Sequence, residues 1–566
     1  MTRPGGLAPV GAMLCLRTEP PGARDETCCS EGLRQGSAAT SSLRCTRSRR
    51  RSPWRLWLLL ACAATRRRSP WRLGLLLACA AALGLSGCGG SEKPRDTPTA
   101  KVRPKLSSTS HARFFEGQTF SDGPSVTRAC LRCHPSAARE LMKTSHWEWL
   151  GEPEMLPGRS QPVRMGKRNV INNFCLSIES NWPKCTICHA GYGWKDASFD
   201  FSKQELVDCL VCHDRSAQYV KADSGLPAKG VDLLAAAKSV GRPGRDNCGA
   251  CHFAGGGGDA VKHGDLDGSL ARPVEQLDVH MGRLDFACTE CHRTKEHRIA
   301  GKMISVSATK TLPIGCTDCH AEEPHKNARL NAHVPTVACQ TCHVPEMARM
   351  RPTKIAWDWS TAGRDVPGAD PHAYLKIKGS FVYRQHLIPE YRWFNGNADR
   401  YLKGDPVRLG TVTELNRPLG DIHDPTAKIW PFKVHRGKQP YDKKHGILLV
   451  PKTVPPDGFW VTFDWDRSLR LGSQATGLPY SGEFGFTETE FVYNVTHMVA
   501  RKSEALQCTD CHGETGRFDF VGLGYPGDPA VVGGRFTRRM VGPADPRSLH
   551  SPLGMPPANA RTGGQP

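Results

Sequence analysis

Eight Cys-x-x-Cys-His motifs constrain this chain more than any other feature of its sequence. They begin at Cys130, Cys185, Cys209, Cys248, Cys288, Cys316, Cys339 and Cys508. Their second cysteines are Cys133, Cys188, Cys212, Cys251, Cys291, Cys319, Cys342 and Cys511, so they use sixteen of the 24 cysteines. The histidines that close them are His134, His189, His213, His252, His292, His320, His343 and His512. At this Cys and His content, chance predicts roughly 0.04 such motifs. Disulfides or zinc sites would not require a His after every second Cys. Two thiols and an adjacent imidazole in this order are the attachment pattern of a c-type haem, the thiols forming thioethers and the His binding iron.

This spacing limits the fold. The first seven motifs crowd into residues 114–344, with successive first cysteines 55, 24, 39, 40, 28 and 23 residues apart. Such intervals leave little room for an independent apolar core, and their irregularity argues against a solenoid. The expected fold is a multihaem cytochrome c: mainly α and irregular chain wrapped around packed haems, with a few short strands. Each motif is expected to form a short helical turn. Residues 345–507 carry no motif and are rich in aromatics, Pro and Gly, as in Trp357-Asp358-Trp359 and Tyr391-Arg392-Trp393-Phe394. They are expected to form a covering region, with a strand over Trp460–Trp465 and a helix over Glu488–Leu506. Residues 508–566 hold the eighth motif and a loose tail.

The formal charge of +21 resembles a nucleic-acid signal. Residues 1–88, however, hold fourteen Arg, no Lys and four acids. Eight haems would add sixteen propionates against eight ferric cores, leaving the rest of the chain at about +3 by charge counting. Nucleic acid is therefore not an expected partner.

Residues 49–64 and 66–81 are near-copies that differ only by Trp57 and Gly74. The second runs on to Leu85-Ser86-Gly87-Cys88. A basic flank, an apolar run over Leu73–Leu85 and small residues after it read as a secretory signal within an over-long leader, 1–88. Leu-Ser-Gly-Cys resembles a bacterial lipobox, which would anchor the mature chain by a lipid on Cys88. The expected location is the periplasm or cell envelope. Residues 89–113 read as a flexible tether.

The sixth ligand of each iron decides whether a haem only transfers electrons or also meets substrate. Fourteen histidines lie outside the motifs. His146, His263, His280, His297, His325, His333 and His497 are nearest to motifs in sequence and are the expected distal ligands; His111 is assigned to the tether. The stretch Gly255-Gly256-Gly257-Gly258-Asp259-Ala260-Val261-Lys262-His263 is unusual. Its glycines permit close backbone approach, and Lys262 and His263, being adjacent, point to opposite sides of an extended segment. A buried lysine can lose its proton and bind iron. Cys175 is the one cysteine after residue 88 outside a motif. It is either a reactive thiol or a small buried hydrophobe.

The eight motifs, Lys184-Cys-Thr-Ile-Cys-His-Ala-Gly-Tyr-Gly-Trp194 and the glycine-rich Val261-Lys262-His263-Gly264-Asp265-Leu266-Asp267 run together resemble the octahaem tetrathionate reductase family, relatives of hydroxylamine oxidoreductase and pentahaem nitrite reductase. The resemblance covers about residues 115–520. It implies seven bis-His haems and one active-site haem, the second, with a distal lysine. Carried over, the active haem is the one on Cys185, Cys188 and His189, with Lys262 as its distal lysine, or else Lys221, and with Cys175 beside it. Family members are soluble periplasmic proteins, whereas Cys88 implies an anchor here. The expectation is a reductase of tetrathionate, nitrite or hydroxylamine, fed by a quinol-linked or periplasmic donor. Arg164, Lys167 and Arg168 are candidates to attract an anionic substrate. The rival is an electron conduit without turnover. Hydroxylamine oxidation would need a Tyr cross-linked to the active haem, and no Tyr stands at the matching place.

Overall fold

The computed structural model describes residues 110–171, 177–255, 257–308 and 313–536. The leader, signal and Cys88, most of the tether, Cys175 and the tail beyond 536 lie outside the described residues. No helix among the described residues is long and apolar enough to cross a membrane.

The motif-bearing part is short helical turns joined by loops. Helix α1 (Gly123–Leu131) leads into the first motif; the Asp122 carboxylate accepts from the Ser125 amide at 2.8 Å and Pro124 occupies its first turn. Helix α2 (Ser145–Glu148) carries His146 and Trp147. Helix α3 (Leu233–Ser239) is capped by Asp232, and α4 (Arg245–His252) contains the whole fourth motif. The motifs at Cys288, Cys339 and Cys508 are also single helical turns, as expected. A turn of this kind brings both thiols and the imidazole to one side of a porphyrin. The chain is already folded at His111, ahead of the short helix Ala112–Phe115, so the tether ends sooner than residue 113.

The region after the seventh motif contains much more sheet than its sequence announced. Eight strands form one sheet: β1 (Thr353–Asp358), β2 (Tyr374–Leu375), β3 (Gly379–Arg384), β4 (Glu390–Phe394), β5 (Thr413–Glu414), β6 (Lys428–Asp442), β7 (Ile447–Leu448) and β8 (Phe484–Asn494). The order is β5-β8-β6-β1-β3-β2, with β4 and β7 also on β6. Strand β6 pairs antiparallel with β8 from Phe432↔Asn494 to Asp442↔Phe484, and parallel with β1. The helix expected over Glu488–Leu506 is therefore corrected. Its first seven residues belong to β8, because Phe-Gly-Phe-Thr-Glu-Thr-Glu-Phe-Val-Tyr alternates aromatic and β-branched residues that pack on β6. The strand expected over Trp460–Trp465 is also corrected: Phe459–Thr462 is helical, and Asp464 caps α5 (Trp465–Thr476) by accepting from Arg467 N at 3.0 Å.

Behind the sheet, Trp357, Trp359, Phe381, Phe459, Phe491 and Tyr493 form a core with Leu448 and Val450. Trp357 and Trp359 stack at 4.7 Å. Ile171 and Val261, from the motif-bearing part, belong to the same core, so the sheet is packed into that part. Phe459 is fully buried. Phe459→Ala is expected to destabilise the fold by about 3–5 kcal/mol, seen as a lowered thermal midpoint; an unchanged midpoint would mean that this core does not support the molecule.

Candidate functional site

The fit of haem to the motifs can be judged from the imidazoles. An iron between two Nε2 atoms, each about 2 Å away as in ordinary metal–imidazole bonds, separates the ring centres by about 6.3 Å. Six pairs have this spacing. His111 faces His134 at 6.4 Å and His146 faces His252 at 6.2 Å. His280 faces His320 at 6.2 Å and His497 faces His292 at 6.3 Å. His325 faces His343 at 6.2 Å and His333 faces His512 at 6.2 Å.

His213 forms no ring pair at this range among the described residues. His297 stands within electrostatic reach of it, at the tip of a two-residue hairpin between Thr294–Lys295 and Arg298–Ile299. Both tip residues, Glu296 and His297, have φ near +50° to +60°, as the tight hairpin turn requires. His280 lies in a five-residue π-helical turn, Val279–Arg283, whose first amides are held by Asp278.

Two of the expected partners change. His111 takes the place beside the first motif that its assignment to the tether had denied it. His263 faces no motif histidine among the described residues; its ring lies 5.2 Å from Tyr493, and burial pushes its pKa down to about 3. The physical reason is that Thr353 and Lys433 hold the backbone of this loop against the sheet.

Motif sulfurs also touch one another. Cys130 lies within hydrogen-bond reach of Cys209, Cys188 of Cys251, Cys248 of Cys288 and Cys316 of Cys339. Cys212 bears electrostatically on Cys248, Cys319 on Cys291, and Cys508 on Cys342. The motifs thus follow one another in space as first, third, fourth, fifth, sixth, seventh and eighth. The second branches off the fourth.

His189 of that branch differs from the others. It is fully buried among Trp147, Trp149, Trp194, Phe199 and Phe201, with ring centres 4.7–6.2 Å away. Its Nε2 lies 2.7 Å from the Trp147 carbonyl, whereas its buried Nδ1 has no hydrogen-bond partner. Iron bonding through Nε2 requires that the Trp147 contact be given up. Desolvation lowers its pKa to about 3, which keeps the ring neutral and able to bind metal.

Lys167 lies 4.1 Å over Trp149, and Arg168 lies 4.6 Å over Phe201, so two of the three basic candidates border this aromatic cage. Arg164 is instead paired with Glu148. The Cys188 thiol is lowered to about 5, first by Cys251 and then, against its burial, by Lys167, Lys262 and Lys221. Lys262 is therefore close to the second motif.

Lys221 is close as well, but it is committed elsewhere. Its ammonium bonds Asp208 at 2.7 Å and the carbonyls of His189 and Gly191 at 2.5 and 3.1 Å. Asp208 also accepts from Tyr192 and Tyr219, each at 2.9 Å. Three acceptors hold Lys221 as a structural cation under the second motif. Cys175 lies outside the described residues.

Sequence reasoning missed the polar face that β6 turns toward the core. Lys433, His435 and Gln439 are all fully buried. Lys354 of β1 is nearly so, 3.6 Å from the Trp357 ring. The alternation in Lys433-Val434-His435-Arg436-Gly437-Lys438-Gln439 places 433, 435 and 439 on one side, a signal available once the segment is read as a strand.

Comparison with known proteins agrees with this geometry. A crystal structure of an octahaem cytochrome c from Shewanella oneidensis matches with a TM-score of 0.70 and 48% identity, over 75% of this chain and 98% of that one. This chain belongs to the octahaem c-type cytochromes. Covalently bound haem c is its cofactor. A family model described as bacterial cytochrome c matches residues 354–515, which include the sheet and the eighth motif. No curated protein matches.

Three of the motif histidines and their candidate partners set their Nδ1 against a carboxylate: His297 against Glu140 at 2.9 Å, His497 against Asp265 at 3.2 Å and His512 against Asp528 at 2.6 Å. His213, His292 and His333 use backbone carbonyls. A carboxylate makes an imidazole a stronger donor and favours ferric iron. Asp265→Asn is expected to raise the potential of the haem on Cys288 and Cys291 by about 60 mV, the one-electron equivalent of a tenfold change. Potentiometric titration of the haem bands checks this, and an unshifted titration would remove the carboxylate's role.

Proposed function

We propose that this octahaem cytochrome is an exported reductase of small oxidised sulfur or nitrogen compounds. Eight haems would sit on the eight motifs, seven of them ligated by two histidines. The asymmetry of the histidines carries the reading. Six motif imidazoles face a second imidazole at the spacing of a shared iron, and a seventh has His297 near it. His189 has an aromatic cage instead of a facing histidine, and Lys262 bears electrostatically on the Cys188 thiol of the same motif.

Haem c supplies one-electron transfer and, where its sixth ligand is weak or replaceable, a place for substrate. Cys185, Cys188 and His189 would hold the working haem, with Lys262 as its exchangeable distal amine. Lys167 and Arg168 at the rim of the cage would draw in an anion. The cage itself keeps bulk water from the buried imidazole. The sulfur contacts support an electron path along the spatial order of the motifs, with delivery from the fourth to the second through Cys251 and Cys188. Cys175, as the one non-motif thiol after residue 88, would act on a sulfur substrate.

The test is turnover with reduced viologen on tetrathionate, nitrite and hydroxylamine. Lys262→Ala is expected to lower kcat/KM by about tenfold or more, that is about 1.4 kcal/mol of transition-state stabilisation. Cys175→Ser should depress tetrathionate turnover selectively. No turnover on any substrate, together with a ferric spectrum of bis-His haems alone, would leave an electron conduit.

The same reading places the chain at the cell envelope, held by a lipid on Cys88 and supplied by a quinol-linked or periplasmic donor. Cys88→Ala is expected to move the cytochrome from the membrane fraction to the soluble one. Equal partition of variant and parent would sink the anchor.

A further inference from the structure

We infer that Lys433 and Thr353, two buried residues of the haem-free sheet, form a clamp that positions Lys262, and that without it the amine does not reach the second haem. The inference rests on the reading of Lys262 as distal ligand and goes beyond it, to residues that neither bind iron nor touch substrate.

Four consecutive carbonyls carry the argument. Lys433 Nζ lies 2.9 Å from Val261 O and 2.7 Å from Lys262 O. Thr353 Oγ1 lies 2.6 Å from Ala260 O and 2.9 Å from His263 O. The two side chains also bond each other, Lys433 Nζ to Thr353 Oγ1 at 2.5 Å. Lys433 thus holds the peptide oxygens of 261 and 262, and the single hydroxyl proton of Thr353 is shared between those of 260 and 263. Both residues are fully buried.

A buried lysine is costly unless its N–H groups are used, and here the amine has three oxygen partners, while burial pushes its pKa well below the usual lysine range. The loop needs such holding. It follows Gly257 and Gly258, with φ of +114° and +142°, and contains Ala260 in the left-handed region. Left to itself, a segment of this kind would sample many conformations. Its far end is tied as well, because Asp265 accepts from the amides of Thr496 and His497 at 2.6 and 2.9 Å. Val261 packs into the aromatic core between these ties. The backbone on both sides of the Lys262 side chain is therefore fixed by the sheet, and the direction of its amine is set from there. Lys433 and Thr353 are positioning residues.

The test uses the full-length holoprotein and its ferric electron paramagnetic resonance spectrum. The amine-ligated component is first identified by its loss in Lys262→Ala. Lys433→Met is then expected to reduce that component by about tenfold, the usual effect of removing a supporting contact, in favour of a high-spin signal. Haem content and the bis-His components should stay as in the parent. Thr353→Val should reduce it in the same direction, and Thr353→Ser, which keeps the hydroxyl, should restore it. If Lys433→Met yields no holoprotein, the two Thr353 variants decide. A full amine component in a haem-complete Lys433→Met, or in Thr353→Val where that variant decides, overturns the clamp. If Lys262→Ala leaves the spectrum unchanged, the ligand reading itself fails and the clamp has nothing to position.

Discussion

The spacing between facing imidazoles is the constraint on which the rest of the structure depends. Rings about 6.3 Å apart accommodate one iron, and the chain meets that distance between segments far apart in sequence. His146 reaches His252, His292 reaches His497 and His333 reaches His512. Each pair closes a long loop, which a free chain does only at an entropic cost. Covalent haem attachment, with an iron shared between facing rings, would offset that cost and let short helical turns with little apolar core of their own hold a defined shape.

The sheet gives this arrangement its rigid side. The sheet and the loops that join its strands bond or carry parts of four motif neighbourhoods. Asn181, four residues before Cys185, accepts from the amide and hydroxyl of Thr453 at 2.7 and 2.8 Å. Thr341, inside the seventh motif, donates to Ile429 of β6 at 2.8 Å. The end of β8 runs directly into His497, the partner of His292. The loop of Lys262 rests on Lys433 and Thr353. A region without a haem motif therefore determines where several histidines and one lysine stand. Lys433 on the buried face of β6 serves that duty: its amine meets the Val261 and Lys262 carbonyls, which an apolar side chain would leave unbonded.

Much of this was legible in the sequence, and the failures have identifiable causes. Attachment sites were legible because the chemistry is local: two thiols and an imidazole within five residues define it. Five of the seven histidines named from sequence have ring centres 6.2–6.3 Å from a motif histidine, and His297 lies within electrostatic reach of His213. His111 was missed because the composition of 89–113 assigned it to a tether, and His263 was included because it lies near the fourth motif in sequence. The sheet was underestimated because Glu488 and Glu490 suggest a helix one residue at a time, whereas the strand depends on cross-strand packing with β6, which no local window contains.

By itself the sequence determined that this chain carries covalent haem, how many attachment motifs it has, and that Cys175 and the glycine-rich run near Lys262 stand apart from the pattern. Those are properties of residues a few positions apart. Only the tertiary structure decided which histidine faces which, that the second motif is a branch off the fourth, and that Lys221 is committed to Asp208 while Lys262 is held by the sheet. A ligand pair is a distance between two segments, and that distance exists only after the chain has folded back on itself.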